Sequence, residues 1–342
     1  MIKKMFCLGS AIFGVIGLSA CGSTTSPPID ASILSTCDNN AITTGGYWWT
    51  YTDHNDPTVA ANAPYHATID QVTSAAQALQ TKPDSDPAHG NVCVVSGSVP
   101  AALPWADVSA VPQAAYTIDP HWASIYPDAT IPDYPSAGIG FGYQHFNKPY
   151  DATQGDKKYI GLVFDMKATT NMDTVWVSMP MVGTDLPDPS PGITDDFPGP
   201  KPKNPNGCEY YTLTNTPGTG GMSCFTNYRK GIKSATSIHG PGNQYNTLAA
   251  VNTWQHYCVL FSEVAPPDWA NAASLAKIPA FDPTQALKVQ WDFFQPAAGG
   301  TAAAYGIAID NVKLITAAEA QTASNNCDPG RITAPFGSGD AG

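Results

Sequence analysis

The sequence is poor in charge, and especially poor in basic residues and glutamate. Of its 342 residues only 13% are charged, with 16 Lys and Arg against 28 Asp and Glu, which gives a formal net charge of -12. Because binding to nucleic-acid phosphates needs clustered Lys and Arg, this balance argues against a nucleic-acid partner. Glutamate occurs only at positions 209, 263 and 319, so nearly all of the acid is aspartate, which favours turns and loops.

Short catalytic motifs are also missing. No GxSxG, HExxH, P-loop or Rossmann glycine pattern occurs, and the seven histidines lack the spacing of metal ligands or of a catalytic triad. Glycosidases use two carboxylates about 5–10 Å apart. The pairs that could be proposed are Glu209 with Glu263 and Asp292 with Asp310, and nothing in the sequence ties either pair to a cleft. We therefore expect a protein that is not an enzyme and keep a glycosidase or lyase as an alternative.

No apolar run reaches the roughly 20 residues that span a bilayer. The apolar run at residues 5–18 follows two lysines and precedes Leu-Ser-Ala-Cys, which ends at Cys21. A basic start, a short apolar run and small residues describe a secretory signal, and the last four residues resemble the lipobox of bacterial lipoproteins, in which the cysteine is lipidated. We expect a signal peptide at 1–20, lipidation of Cys21 and a flexible tether at 21–36. The alternative is an ordinary signal peptide.

The predicted lipid anchor bears on where the protein is located and on whether its cysteines form disulfides. Gly22 follows the lipidated cysteine, which by analogy with lipoproteins favours the outer membrane or cell surface of a Gram-negative bacterium. Of the eight cysteines, Cys7 would leave with the signal peptide and Cys21 would carry lipid. In an oxidising compartment, the six that remain imply up to three disulfides. We expect two of Cys208, Cys224 and Cys258 to pair with each other, and Cys37 or Cys93 to pair with Cys327. A zinc site is the alternative, but no Cys-x-x-Cys spacing supports it.

The pattern between the turns is that of strands. The 30 glycines and 31 prolines argue against a helix-rich fold. Short runs that alternate between apolar and polar residues recur along the chain, clearest at 159–167 and 174–180. Many short strands predict an all-β, two-sheet antiparallel β-sandwich or jelly roll with long loops. We place this domain at 37–316 and a low-complexity tail at 317–342, with a proline-rich loop at 185–207.

Several segments occur in an order that resembles a known family. The sequence GYWWTYTD opens the domain at residues 46–53 and Ile-Asp-Asn-Val closes it at 309–312; four further segments lie between them, at 138–142, 159–164, 254–262 and 289–291. This order resembles the galactose-binding-like jelly roll of many carbohydrate-binding modules and related bacterial surface lipoproteins. The resemblance implies a noncatalytic module that binds a glycan or polysaccharide, commonly with a structural calcium ion. It also places Trp254 and Trp291 at structural, buried positions.

Sugar binding needs a flat aromatic face and a few polar groups for the hydroxyls. Trp176 is the first candidate, because its valine neighbours should face the core and turn the indole to the other side of the strand. Trp48 and Trp49 are adjacent, so one should lie in the core and the other outside. Gln290 and Asp292 share the face opposite the tryptophan of their strand and could meet sugar hydroxyls.

A pair of acidic residues and a run of basic residues can each be interpreted as a binding site or as ordinary surface structure. Calcium prefers six to eight oxygen ligands; by the resemblance Asp310 matches a calcium-ligating position, and Asp53 ends the opening strand. The alternative for each carboxylate is a hydrogen bond with backbone amides in a turn. The basic residues Arg229, Lys230 and Lys233 should form a solvated turn, or else attract an acidic glycan. We thus predict a lipid-anchored, noncatalytic glycan-binding protein. A surface adhesin or structural subunit that binds protein remains a second possibility.

Overall fold

The structure is a computed structural model in which strands make up nearly all of the regular secondary structure of the described residues. By its contacts the chain divides into Met1–Asp30 and Ala31–Gly342, and every described residue belongs to the second unit. No helix among these residues is long and apolar enough to cross a membrane. The described residues are 33–35, 37, 42–52, 68–69, 80–99, 136–144, 149–185, 226–234, 245–267, 270, 272–276, 278–294, 303–325 and 327–332.

Thirteen strands and two short α-helices are present in this part of the chain. The helices are α1 (Ala272–Leu275) and α2 (Ala317–Ala320). The strands are β1 (Ile33–Ser35), β2 (Trp48–Thr52), β3 (Thr68–Ile69), β4 (Gln80–Pro83), β5 (Asn91–Val99), β6 (Ser136–Gly142), β7 (Tyr159–Ala168), β8 (Thr174–Met179), β9 (Tyr228–Lys233), β10 (Tyr245–Thr247), β11 (Gln255–Leu260), β12 (Lys288–Phe294) and β13 (Ala303–Thr316).

These strands form two sheets. The seven-stranded sheet has the order β11-β7-β13-β5-β3, with β1 paired to β13 and β4 paired to β5. The six-stranded sheet has the order β10-β9-β8-β12-β6-β2. All pairs are antiparallel except β10 with β9, which is parallel. The predicted all-β, two-sheet β-sandwich is confirmed.

The core lies between the two sheets and is built by the period-two alternation of the strands. Trp291 on β12 is completely buried, as the family resemblance implied. Trp48 stacks on it with ring centroids 5.6 Å apart, and Phe164 meets it edge-on from the opposite sheet at 5.1 Å. Trp48 is therefore the core member of the adjacent tryptophan pair.

The basic residues Arg229, Lys230 and Lys233 lie in strand β9, so the expectation that they form a solvated turn is wrong. Because side chains alternate along a strand, Arg229 and Lys230 point to opposite sides of the six-stranded sheet. Lys230 is buried, and its Nζ atom lies 2.6 Å from Oε1 of Glu263. Burial lowers the pKa of Lys230, against the raising effect of the Glu263 charge. The basic run is thus part of the sheet.

The disulfides also differ from the prediction. Cys37 pairs with Cys93, and Cys258 pairs with Cys327, so the predicted bond from Cys37 or Cys93 to Cys327 is wrong. The physical reason is strand order: β1 and β5 both pair with β13, which brings Cys37 and Cys93 together at one place in the seven-stranded sheet. The other two predicted cysteines, at 208 and 224, lie outside the described residues, as does the lipidation site at position 21.

Part of the predicted C-terminal tail packs against the sandwich. Cys258 points away from the core because its strand neighbours Tyr257 and Val259 point into it. On this outer side it joins a second apolar cluster that includes Ile315 and Ala320. The Cys258–Cys327 bond and a 2.7 Å hydrogen bond from the Ser262 hydroxyl to a backbone carbonyl fasten the segment after α2 to this side of the sheet.

Candidate functional site

The outer face of the six-stranded sheet carries most of the residues predicted to bind a ligand. Strand alternation decides which side chains belong to it, since their immediate neighbours lie in the core between the sheets. We call this surface the outer face. Its principal side chains are Tyr47, Trp49, Tyr51, Trp176, Ser178, Arg229, Lys288, Gln290, Asp292 and Phe294.

One edge of the outer face is a row of three aromatic side chains. Tyr47, Trp49 and Tyr51 alternate with inward residues along β2 and the residue before it, so successive members are about 6.6–6.8 Å apart. Tyr47 is 42% exposed, and the other two are half-buried. We call these three residues the aromatic row. It offers ring surface of the kind that sugar rings stack on.

Two glycines on the neighbouring strand β6 leave room for this row. Gly138 pairs with Tyr51 and Gly140 pairs with Trp49. A Cβ atom at position 138 would lie 2.6 Å from both Cε1 and Oη of Tyr51, and one at position 140 would lie 3.2 Å from Cζ2 of Trp49. Both rings therefore occupy the space above the glycines, where any other residue would place its side chain.

Asp292 lies near the centre of the outer face and is held by two hydroxyl groups. Tyr51 donates a hydrogen bond to its Oδ1 atom and Ser178 donates one to its Oδ2 atom. Burial raises the pKa of Asp292 to about 6, although these hydrogen bonds and the charges of Arg229 and Lys288 lower it. Burial and the charge of Asp292 together raise the pKa of Tyr51 well above its ordinary value.

Trp176 lies on the outer face but is not open to solvent. It is only 7% exposed, and the guanidinium carbon of Arg229, which is also 7% exposed, lies 3.9 Å above the centre of its ring. The same guanidinium lies 5.2 Å from the ring centre of Phe294, which is 39% exposed. The sequence placed Trp176 on the correct side of β8, but Arg229 covers the ring surface that a sugar would have used.

The positive charges of the outer face have carboxylates beside them. Lys288 forms an ion pair with Asp185, and its Nζ atom lies 5.9 Å from the ring centre of Trp49. Arg229 is close enough to Asp292 to lower the pKa of that carboxyl. Gln290, the other predicted polar residue, is 9% exposed and lies in register between Gly140 and Ser178.

Sequence reasoning found part of this face and missed the rest. It placed Trp49, Gln290 and Asp292 on one surface, whereas Trp48, the other candidate of the pair, lies in the core. It missed Tyr47 and Tyr51, although the alternation of the GYWWTYTD segment puts both on the same side as Trp49. It did not name Phe294 as a candidate, although alternation along β12 puts that residue on the same side as Asp292. It named Arg229 only as part of a basic run, because the position of Arg229 above Trp176 depends on which strands are neighbours.

The predicted calcium ligand Asp310 lies on the other side of the sandwich, on the outside of the seven-stranded sheet. Its Oδ2 atom lies 3.2 Å from Nδ1 of His89, and that nitrogen lies 3.9 Å from Oδ2 of Asp165. Asp165 also contacts Nδ1 of His256 at 2.6 Å and accepts a hydrogen bond from the Asn311 amide at 2.8 Å. Burial raises the pKa of Asp310 to about 6.

This cluster does not fit a calcium ion by itself. The atoms next to Asp310 include histidine nitrogen, whereas calcium takes six to eight oxygens. Among the described residues, no group of three or more His, Cys, Asp or Glu could hold a metal ion. Asp53 lies outside the described residues, so the calcium site stays a prediction. Trp254, predicted to be buried, instead stacks on His89 at 3.9 Å in this cluster and is half-buried.

Of the two carboxylate pairs considered for a glycosidase, the pair of Asp292 and Asp310 is not brought together by the fold. Asp292 belongs to the outer face of one sheet and Asp310 to the outside of the other, so the full thickness of the sandwich separates them. Glu263 forms the buried ion pair with Lys230 and caps the Leu260 amide at 2.8 Å. Its proposed partner, Glu209, lies outside the described residues.

Comparisons with known proteins give only distant similarities. No family model matches the sequence, and no curated protein matches it. Among solved structures, the family 11 carbohydrate-binding module of the cellulosomal cellulase Lic26A-Cel5E of Clostridium thermocellum is 11% identical, covers 83% of this chain and 93% of its own, and has a TM-score of 0.36. A Clostridium thermocellum family 11 module in complex with a β-1,3-1,4-mixed-linked tetrasaccharide is 10% identical over 79% and 88% of the two chains, with a TM-score of 0.34. An exo-β-agarase is 8% identical over 86% and 25%, with a TM-score of 0.32. These values assign the chain neither a family nor a ligand.

Proposed function

We propose that the protein is a noncatalytic glycan-binding protein whose outer face holds a polysaccharide. The observation that carries this proposal is the aromatic row, which presents ring surface along one edge of the outer face. Ring surface can stack on the apolar side of a sugar, and nearby polar groups can meet its hydroxyls. Tyr47 and Phe294 are exposed, and Trp49 and Tyr51 are half-buried, so all four keep ring surface with which to make such contacts.

The charges favour an uncharged glycan. Lys288 is neutralised by Asp185, and Arg229 lies near Asp292, so these two cations are not free to attract a uronate or a sulfate group. The formal net charge of -12 also repels polyanions at low ionic strength. We therefore propose neutral polysaccharides as the ligand class, and acidic ones as the comparison that the protein should reject.

A matched pair of tryptophan variants tests the proposal. The full-length protein is applied to immobilised neutral and acidic polysaccharides, and its retention is compared with that of Trp49→Ala and Trp254→Ala. Truncating a central aromatic contact costs about 2 kcal/mol, so Trp49→Ala should lower the affinity by at least about tenfold. Trp254 lies on the opposite sheet, and its variant should bind like the wild type. Equal loss in both variants, or no retention of the wild type, would reject the outer face as a binding surface.

We also propose that the protein is anchored to the outer membrane or cell surface by lipid on Cys21. The lipobox-like sequence before Cys21 supports this, and two or more acyl chains would give stable anchoring. Metabolic labelling with a fatty-acid analogue should mark the wild type and leave Cys21→Ala unlabelled. Labelling of both proteins, or of neither, would count against the anchor.

A further inference from the structure

The aromatic row and Asp292 are connected across an intervening strand. Tyr51, Gly138 and Asp292 lie in register on β2, β6 and β12. Strands β2 and β12 both flank β6, so they are about 9.5 Å apart, which is two strand spacings. The Tyr51 hydroxyl reaches Asp292 over that distance because Gly138 has no side chain, and the tyrosine ring fills the space above it.

The hydrogen bonds of Asp292 are made within the protein. Its Oδ1 atom accepts from Tyr51 and its Oδ2 atom accepts from Ser178, which lies on β8 on the far side. Asp292 is 5% exposed, so a sugar hydroxyl has little access to it. A tyrosine or serine hydroxyl has a single hydrogen to donate, and both hydrogens are directed at this carboxyl. Asp292 therefore ties an edge strand and an inner strand to β12.

We propose that Asp292 is a positioning residue, which fixes the Tyr51 ring across Gly138 in the orientation that a glycan stacks on, and that it does not itself contact the sugar. This inference rests on the proposed glycan binding. It differs from the expectation that Asp292 meets sugar hydroxyls. The Tyr51 hydroxyl and the Asp292 carboxyl are the donor and the acceptor of one hydrogen bond, and both are needed for the effect on binding. Removing either group should have the same effect as removing both.

A double-mutant cycle distinguishes the two roles. Affinity for a retained neutral polysaccharide is measured for Tyr51→Phe, Asp292→Leu and the double variant, with Asp292→Asn as the conservative substitution. We expect each single variant and the double variant to bind about five- to tenfold more weakly than the wild type. Asp292→Asn keeps an oxygen that accepts from Tyr51, so it should bind within about twofold of the wild type.

The opposite pattern would overturn the inference. Direct contact between Asp292 and sugar predicts that Tyr51→Phe is nearly harmless, or that the two losses multiply to about 50-fold in the double variant. Tyr228→Phe serves as the matched control, because it removes a 3.0 Å hydrogen bond from a buried tyrosine to the Pro279 carbonyl. It should lower the melting temperature without changing the affinity.

A ligand-free version of the cycle separates this inference from the proposed function. The melting-temperature shifts of Tyr51→Phe and Asp292→Leu should be non-additive, because both variants break the same hydrogen bond. If the wild type retains no polysaccharide, the proposed function fails, and additive shifts would then also exclude the Tyr51–Asp292 pairing. If the wild type binds and the shifts are additive, only the positioning role fails.

Discussion

Protonation of Asp292 should make the protein more stable as the pH falls from 7 to 5. Burial raises the folded-state pKa of this carboxyl to about 6 from an ordinary value of 3.8. Between these two values the folded protein takes up a proton that the unfolded chain does not, so the free energy of unfolding rises as the pH decreases. For this shift, linkage gives a gain of about 1.3 kcal/mol between pH 7 and pH 5.

The assay is urea unfolding of the wild type and Asp292→Asn at both pH values. Other groups titrate in the same range, and the comparison removes them, because they are common to both proteins. The asparagine variant has no carboxyl, so its change in unfolding free energy between pH 7 and pH 5 should be about 1.3 kcal/mol less favourable than that of the wild type. Equal pH dependence in the two proteins, within about 0.3 kcal/mol, would show that burial does not raise the pKa of Asp292.

Three further predictions concern stability, and each is measured by urea or thermal unfolding. Replacing Cys258 and Cys327 together by serine should lower the free energy of unfolding by about 2–4 kcal/mol and expose the C-terminal segment to proteolysis. Unchanged stability would contradict the packing of that segment. Lys230→Met should lower the free energy of unfolding by about 3–5 kcal/mol, because it leaves Glu263 as an uncompensated buried charge. Adding Glu263→Gln should recover much of that loss, and a larger loss in the double variant would refute the prediction. Gly138→Ala should lower the free energy of unfolding by about 1–3 kcal/mol and weaken glycan retention, because the new methyl group would lie 2.7 Å from a backbone carbonyl of β12. A fully stable variant that binds normally would be inconsistent with the observed strand spacing.

The side on which each strand residue points could be predicted from the sequence. Period-two alternation placed Trp176 on the side of β8 that faces away from the core, and Gln290 and Asp292 on the side of β12 opposite Trp291, and both assignments hold in the structure. The same rule could have identified the aromatic row, because Tyr47 and Tyr51 alternate with inward residues around Trp49. These predictions succeed because the direction of a strand side chain is a local property.

What covers a side chain depends on strands that are distant in sequence. Arg229 lies over the indole ring of Trp176 because β9 pairs with β8, although about 50 residues separate the two positions. The predicted bond from Cys37 or Cys93 to Cys327 was wrong for the same reason, because the pairing of cysteines depends on the order of the strands. Neither strand order nor a cation above a ring leaves a periodic signal in the sequence.

The most direct test of glycan binding on the outer face is an NMR titration of the tryptophan indole N–H signals. The protein is labelled with ¹⁵N in its indole groups and titrated with an oligosaccharide of a polysaccharide that it retains. The Trp49 signal should shift progressively to saturation, while the signals of Trp291 in the core and Trp254 on the opposite sheet should stay in place. Saturable shifts at Trp254 with none at Trp49 would place the ligand on the other sheet and contradict the account.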